Sequence, residues 1–289
     1  FGLCAHIFQK DDNLRGKVIS IAMSGVATGM LIGPVVGGVL YQFAGLVTPF
    51  CAIAIIILLT LTFQLIFIKP TYYKTDKRAP SSFKLLKDPY ILLVACGIVI
   101  GNIGDALFEP TFPYWLLKKF SAPPWMQGLI MTAPLFSYLL SNNFLNILSE
   151  KWGRWCAAIM GFSICATAFY IIPLSVTSYM VAIFYGIFGF GLGLIESSLM
   201  PIMAHLVDIR HDNFYGSVYA IADNSFNLAF SLGNSTAGLI VSGLSFNWLC
   251  WITAIILTIY TPFLFWLRNP PHLNPEQKVL LPESIELKQ

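Results

Sequence analysis

Between Tyr90 and Leu117 the chain runs through YILLVACGIVIGNIGDALFEPTFPYWLL, long enough to cross a bilayer, because about 20 apolar helical residues span roughly 30 Å of hydrocarbon. Two acids sit inside that run. Asp105 and Glu109 are four residues apart and Asn102 lies three before Asp105, so a helix places all three near one face, with Trp115 continuing round from it. A carboxylate at the centre of a bilayer costs at least about 2.5–3.5 kcal/mol, so this face must look into a bundle interior, a water-filled cavity or a proton path. Pro110 and Pro113 remove two backbone donors, release the carbonyls of Ala106 and Glu109, and predict a helix break beside the acids, as in transporter binding sites.

The remaining residues suit the same solvent. Of 289 residues, 56% are hydrophobic and 11% charged, against roughly 25% charged in a soluble domain, which makes the fold class an all-α polytopic membrane protein. Spans are expected at about 17–42, 47–68, 89–116, 125–148, 154–172, 179–206, 214–241 and 246–267, giving eight complete helices. The opening FGLCAHIF is too short to cross and reads as a stub, the end of a helix that starts upstream. The net charge of +3 comes from bases clustered between apolar runs, which is a topology signal and excludes nucleic acid as a partner. Cys4, Cys51, Cys96, Cys156, Cys165 and Cys250 fall in or beside apolar segments at unrelated spacings and read as buried thiols, so neither a metal nor another cofactor is expected.

The loops separate by charge. Lys10, Arg15 and Lys17, then Lys69, Lys74, Lys77, Arg78, Lys84 and Lys87, then Lys151 and Arg154, then Arg210 and Arg268 occupy alternate loops, whereas FAGLVTP, IIPLSVTS and SGLSFN carry no charge. Only Lys118 and Lys119 stand against the pattern, and the positive-inside rule puts the basic loops and the C-terminus in the cytoplasm. A repeat runs through the same loops at a spacing of 200: Asn13-Leu-Arg-Gly16 matches Asn213-Phe-Tyr-Gly216, Ile21-Ala22 matches Ile221-Ala222, Gly33 matches Gly233 and Gly38 matches Gly238. Both copies are helix pairs of one orientation, the mark of a fold built from two similar six-helix halves. Residues 1–68 then read as the end of an N-terminal bundle (the stub and two helices), 69–88 as a basic cytoplasmic linker, 89–268 as a C-terminal six-helix bundle and 269–289 as a cytoplasmic tail. The arithmetic places roughly four further helices upstream of Phe1.

Three groups of residues carry chemistry. In GVATGMLIGPVVGG, small residues at four-residue steps, including Gly29, Gly33 and Gly37 with Pro34 and Gly38, let helices approach closely, and simple packing explains the pattern as well as function does. The Gly-Pro and Gly-Gly pairs within one span resemble the antiporter motif of the major facilitator superfamily. Glu196 is the second internal acid, followed by Ser197, Ser198 and Pro201, which is expected to break the helix. Asp223 is the third, with Tyr219 a turn before and Phe226 and Phe230 at three and seven after, a stripe suited to an organic cation through ion pairing and cation–π attraction. Ordinary packing accounts for any one of these aromatics, and a structural ion pair is the alternative for the acids, although no Lys or Arg lies inside any of these spans.

LLKDPYI, NIGDALFEPTFPYW, KWGRW, ESSLMPIMAHLVDIRH and YGSVYAIAD together resemble the vesicular amine transporters, nearer the monoamine branch than the acetylcholine branch. The resemblance implies a major facilitator two-bundle fold and no enzyme activity, with proton-driven exchange of lumenal protons for cytosolic monoamines such as serotonin, dopamine, noradrenaline or histamine in synaptic or secretory vesicles. By motif it assigns Glu109 to the amine, Asn102, Trp115, Tyr138, Phe226 and Phe230 to the pocket, and Glu196 and Asp223 to proton coupling. Four departures stand out: Glu196 replaces the family's Asp, Phe230 a Tyr, Asn234 a Pro, and Asp105 is an added acid counted here with the proton-linked group. Acetylcholine uptake, or proton-driven export of other organic cations, is the neighbouring alternative. An intramembrane aspartyl protease is disfavoured because Asn102-Ile-Gly-Asp105 lacks the first glycine of Gly-x-Gly-Asp. In the tail, Glu276 four residues before Leu280-Leu281 fits an acidic dileucine sorting signal for clathrin adaptors.

Overall fold

Gly45, at φ 83°, turns the chain between α1 (Leu31–Ala44) and α2 (Val47–Phe67), a left-handed conformation that favours glycine. The computed structural model describes residues 28–29, 31–67, 85–210 and 215–268. The stub, the opening of each repeat copy, most of the basic linker, and the tail with Glu276, Leu280 and Leu281 lie outside the described residues. Within them every element is helical: α3 (Pro89–Phe108), α4 (Phe112–Phe120), α5 (Pro124–Trp152), α6 (Arg154–Ile171), α7 (Ser178–Arg210), α8 (Tyr215–Gly243) and α9 (Phe246–Tyr260), the last followed by a 3-10 segment at Thr261–Arg268. The 200-residue repeat extends to the backbone. Ser245, the counterpart of Gly45, also has positive φ (133°), and it likewise separates the long helix α8 from α9.

Among the described residues five helices are long and apolar enough to cross a membrane, against the eight spans expected of the whole chain. The shortfall has a compositional cause. The helices α5 and α8 have 29 residues each, roughly 43 Å at 1.5 Å per residue, but their serines and asparagines make them less apolar, and α1, at Leu31–Ala44, is too short. Pro201 does not break its helix, contrary to expectation. It lies inside the continuous α7, which packs along α5 on one side and α6 on the other, so tertiary contact outweighs one missing hydrogen bond.

The break at Pro110 is present and shows how it is held. Thr111 donates its backbone N–H to Phe108 O in a tight turn (3.1 Å), and its hydroxyl donates to Leu107 O (3.0 Å). Phe108 and Phe112 stack across the break with centroids 4.3 Å apart, and both rings meet Tyr185 of α7, at 4.9 and 5.0 Å. This buried aromatic group, with Phe169, Phe188 and Phe246, forms the core under the acids.

Contacts sort the loops into two ends. At one, Asp88 caps α3 by accepting from Tyr90 N–H (3.0 Å), and it pairs with Arg210 at the end of α7, Nε to Oδ2 2.6 Å, with side chains 1% and 8% exposed. Arg210 is therefore a buried structural cation and not a solvated topology charge. At the other end Lys119 Nζ donates to Pro173 O (2.9 Å) and lies 4.9 Å from the Trp115 ring, which ties α4 to the loop after α6. Burial pulls the Lys119 pKa below the usual lysine value, so this exception to the charge pattern has a local structural role. Arg210→Met removes the buried cation beside Asp88 and is expected to cost about 3–5 kcal/mol. Thermal unfolding in detergent measures this, and an unchanged Tm contradicts it.

Candidate functional site

Glycines on one face of α7 bring α5 close enough to build a site. A Cβ on Gly189 would run into the backbone of Pro134, and one on Gly193 would come within 2.9 Å of Tyr138 O. Glu196, three residues after Gly193, continues that face. The consequence is a hydrogen bond from Tyr138 Oη to Glu196 Oε2 at 2.7 Å, and Asn102 of α3 reaches the same carboxylate. Asn102 is 1% exposed and also donates to Ile98 O at 3.0 Å. Gly189→Ala is expected to force α5 off α7, lower stability by about 1–3 kcal/mol and weaken the site's assembly. A variant with unchanged unfolding temperature and ligand affinity would contradict this packing.

A cavity of about 170 Å³ lies between α1, α3, α5 and α7, and Asp105, Glu109, Tyr138 and Tyr185 line it. The Tyr185 hydroxyl donates to Asp105 Oδ1 at 3.2 Å, while its ring is wedged among Phe108, Phe112 and Phe188. Glu109 caps the end of α3, donating its N–H to Asp105 O at 2.8 Å, and its side chain is exposed to the cavity's open side. Asp105 is within electrostatic reach of both Glu109 and Glu196. Among the described residues no Lys or Arg lines this cavity, so the carboxylates can be compensated by protons or by a bound cation. Among the described residues no group of His, Cys, Asp and Glu is placed to hold a metal.

The structure thus brings together Asn102, Asp105, Glu109, Tyr138 and Glu196, and separates the others. Trp115 lies beyond the helix break, stacked on Phe246 at 4.4 Å, and lines a second cavity of about 380 Å³ with Lys118 and Lys119. A reading of its face from an unbroken helix fails because the turn at Pro110 resets the helical phase. Asp223 is exposed on α8, and Phe226 and Phe230, half-buried with centroids 4.7 Å apart and rings tilted by 32°, pack on each other instead of lining the acid cavity. Of the glycine motif, Pro34 and Gly38 touch α5: a Cβ on Gly38 would sit 2.8 Å from Pro124 O, whereas Gly29, Gly33 and Gly37 face open space. Close approach falls on the neighbouring side of α1 from the four-residue stripe. Tyr185 is the site residue the sequence reading missed. The available signal was a hydroxyl in an otherwise apolar run, since a buried tyrosine usually finds a partner for its O–H.

A family model described as Major Facilitator Superfamily matches residues 2–108 and 94–287. The chain is 37% identical over 289 residues to the synaptic vesicular amine transporter of Homo sapiens, covering 99% of this chain and 56% of that protein. It is 38% identical over 280 residues to the chromaffin granule amine transporter of Homo sapiens, covering 96% and 53%. The vesicular acetylcholine transporter of Tetronarce californica is 33% identical over 282 residues, covering 95% and 55%. The chain spans about half the length of the curated relatives it matches.

Proposed function

The chain belongs to the Major Facilitator Superfamily, and on that premise we propose that it serves a secondary transporter that exchanges lumenal protons for small organic amines across a vesicle membrane. The observation carrying this reading is that Asp105 and Glu109 line one cavity with no basic lining residue among the described residues, while Glu196 is hydrogen-bonded behind Tyr138 of its wall, within electrostatic reach of Asp105. In a low-dielectric bundle such a group must be neutralised, and two neutralising species at one site are what exchange requires. Glu109 faces the amine, Asn102 and Tyr138 hold Glu196, and Asp105 with Tyr185 forms the back wall. Glu196 takes and releases protons.

Asp223 is a second proton-linked acid in this reading. α8 has the length to cross but is less apolar than the five candidate spans, and an exposed carboxylate at membrane depth cannot face lipid cheaply, so in this reading the stripe of Tyr219, Asp223, Phe226 and Phe230 faces a wet path or another bundle. The two-bundle division, the cytoplasmic placement of the basic end and adaptor binding at Glu276, Leu280 and Leu281 complete the proposal.

Uptake of labelled serotonin, dopamine and acetylcholine into acid-lumen vesicles tests it, using a carrier of the relatives' full length that contains this chain. Monoamine accumulation that collapses with the proton gradient is the expected result. Accumulation of acetylcholine alone would move the substrate to the neighbouring branch. Uptake indifferent to the gradient would overturn the exchange.

A further inference from the structure

A groove of about 500 Å³ runs along the outer side of α3, where Tyr90, Leu93 and Cys96 face Tyr260, Phe263 and Trp266. It is separate from the acid cavity and shares no residue with it. Its lining is mostly apolar: of its two tyrosines, Tyr260 commits its hydroxyl to Leu93 O, and Tyr90 lies toward the Pro89 end. Phe263 and Trp266 stay 44% and 67% exposed despite their size. Such a surface at membrane depth fits an acyl chain, and aromatic rings at its mouth fit the headgroup level.

The mouth is charged. Pro89 and Trp266 mark one end of the groove. Neither base lines the groove: exposed Lys87 stands two residues before Pro89, and exposed Arg268, two after Trp266, holds its guanidinium 5.5 Å from the Trp155 ring centroid at the start of α6. The Arg210 guanidinium, neutralised by Asp88, backs the same rim 4.9 Å from the Tyr90 ring centroid and leaves Lys87 and Arg268 as its uncompensated charges among the described residues.

We propose that this groove binds one acyl chain of an anionic phospholipid, with the headgroup held between Lys87 and Arg268. Charge complementarity selects the occupant. A hydrocarbon chain gains little on moving from bilayer to groove, so preference comes from the head, at roughly fivefold for each basic residue near the surface. Anionic lipids are concentrated in the cytoplasmic leaflet, the side to which the basic loops assign this end. The inference needs the membrane setting but does not depend on the amine reading.

The test is lipid titration of the purified 289-residue chain in detergent, followed by native mass spectrometry. Phosphatidylserine should be retained at least about tenfold better than phosphatidylcholine, and inorganic phosphate should neither bind nor compete. The double change Lys87→Gln and Arg268→Gln should erase that preference, while Lys118→Gln, at the opposite end, should leave it. Cys96→Trp should fill the groove and remove both lipids; if that variant is not monodisperse, Leu93→Trp fills the same space. Equal retention of the two lipids, competition by inorganic phosphate, or full phosphatidylserine binding by the filled variant would each overturn the proposal.

Discussion

Glu109→Gln should lower amine affinity by roughly 30-fold to several thousand-fold, the range of ~2–5 kcal/mol lost when one partner of a desolvated ion pair is removed. Glu109 ends α3 at the Pro110 break, so its carboxylate extends past the last helical turn into the open side of the cavity. The aromatic clamp of Phe108 on Phe112 fixes that end against Tyr185. The substitution keeps size and hydrogen bonding while removing the charge. Equilibrium binding of labelled amine to the full-length carrier measures it. Affinity within threefold of the parent would show that the amine is anchored elsewhere.

Glu196→Gln is expected to have the largest effect on accumulation, abolishing the response to an acidic lumen while leaving equilibrium amine binding within about tenfold. Tyr138 and Asn102 both direct hydrogen bonds at this carboxylate, a fixed position from which a proton can be exchanged without the side chain swinging free. Asp223→Asn should give the same split, from a carboxylate on a different helix. Tyr138→Phe separates the two parts of the argument, because it deletes the bond to Glu196 and keeps the ring. Reduced accumulation with preserved binding is the expected outcome for it as well. Loss of binding in Glu196→Gln with accumulation kept in the residual fraction would reverse the roles of Glu196 and Glu109.

Much of this site was legible from local spacing. Asp105 and Glu109 at four residues share a face in the structure, and Pro110 ends the helix where two missing donors required it to. The two-hundred-residue repeat is visible even in the turns at Gly45 and Ser245. What spacing could not supply were contacts that cross the bundle. Tyr185 meets Asp105 from eighty residues away, and Arg210 meets Asp88 from a hundred and twenty-two, so neither pairing leaves a local pattern. Trp115 moved to another cavity because the break changes the helical phase after it. Pro201 stayed inside a helix because packing on both flanks overrides local preference. Asp223, Phe226 and Phe230 do share a stripe, but a stripe does not say which cavity it faces.

The central claim is that protons and amine compete for the carboxylates of one cavity. Binding linkage is reciprocal, so if protons weaken amine binding, amine must expel protons. The direct measurement is proton release on adding amine to the purified full-length carrier in weakly buffered solution, followed with a pH indicator and compared with Glu109→Gln and Glu196→Gln. The account predicts about one proton or more released per amine bound, reduced in both variants. Amine binding at full affinity with no proton released would contradict it.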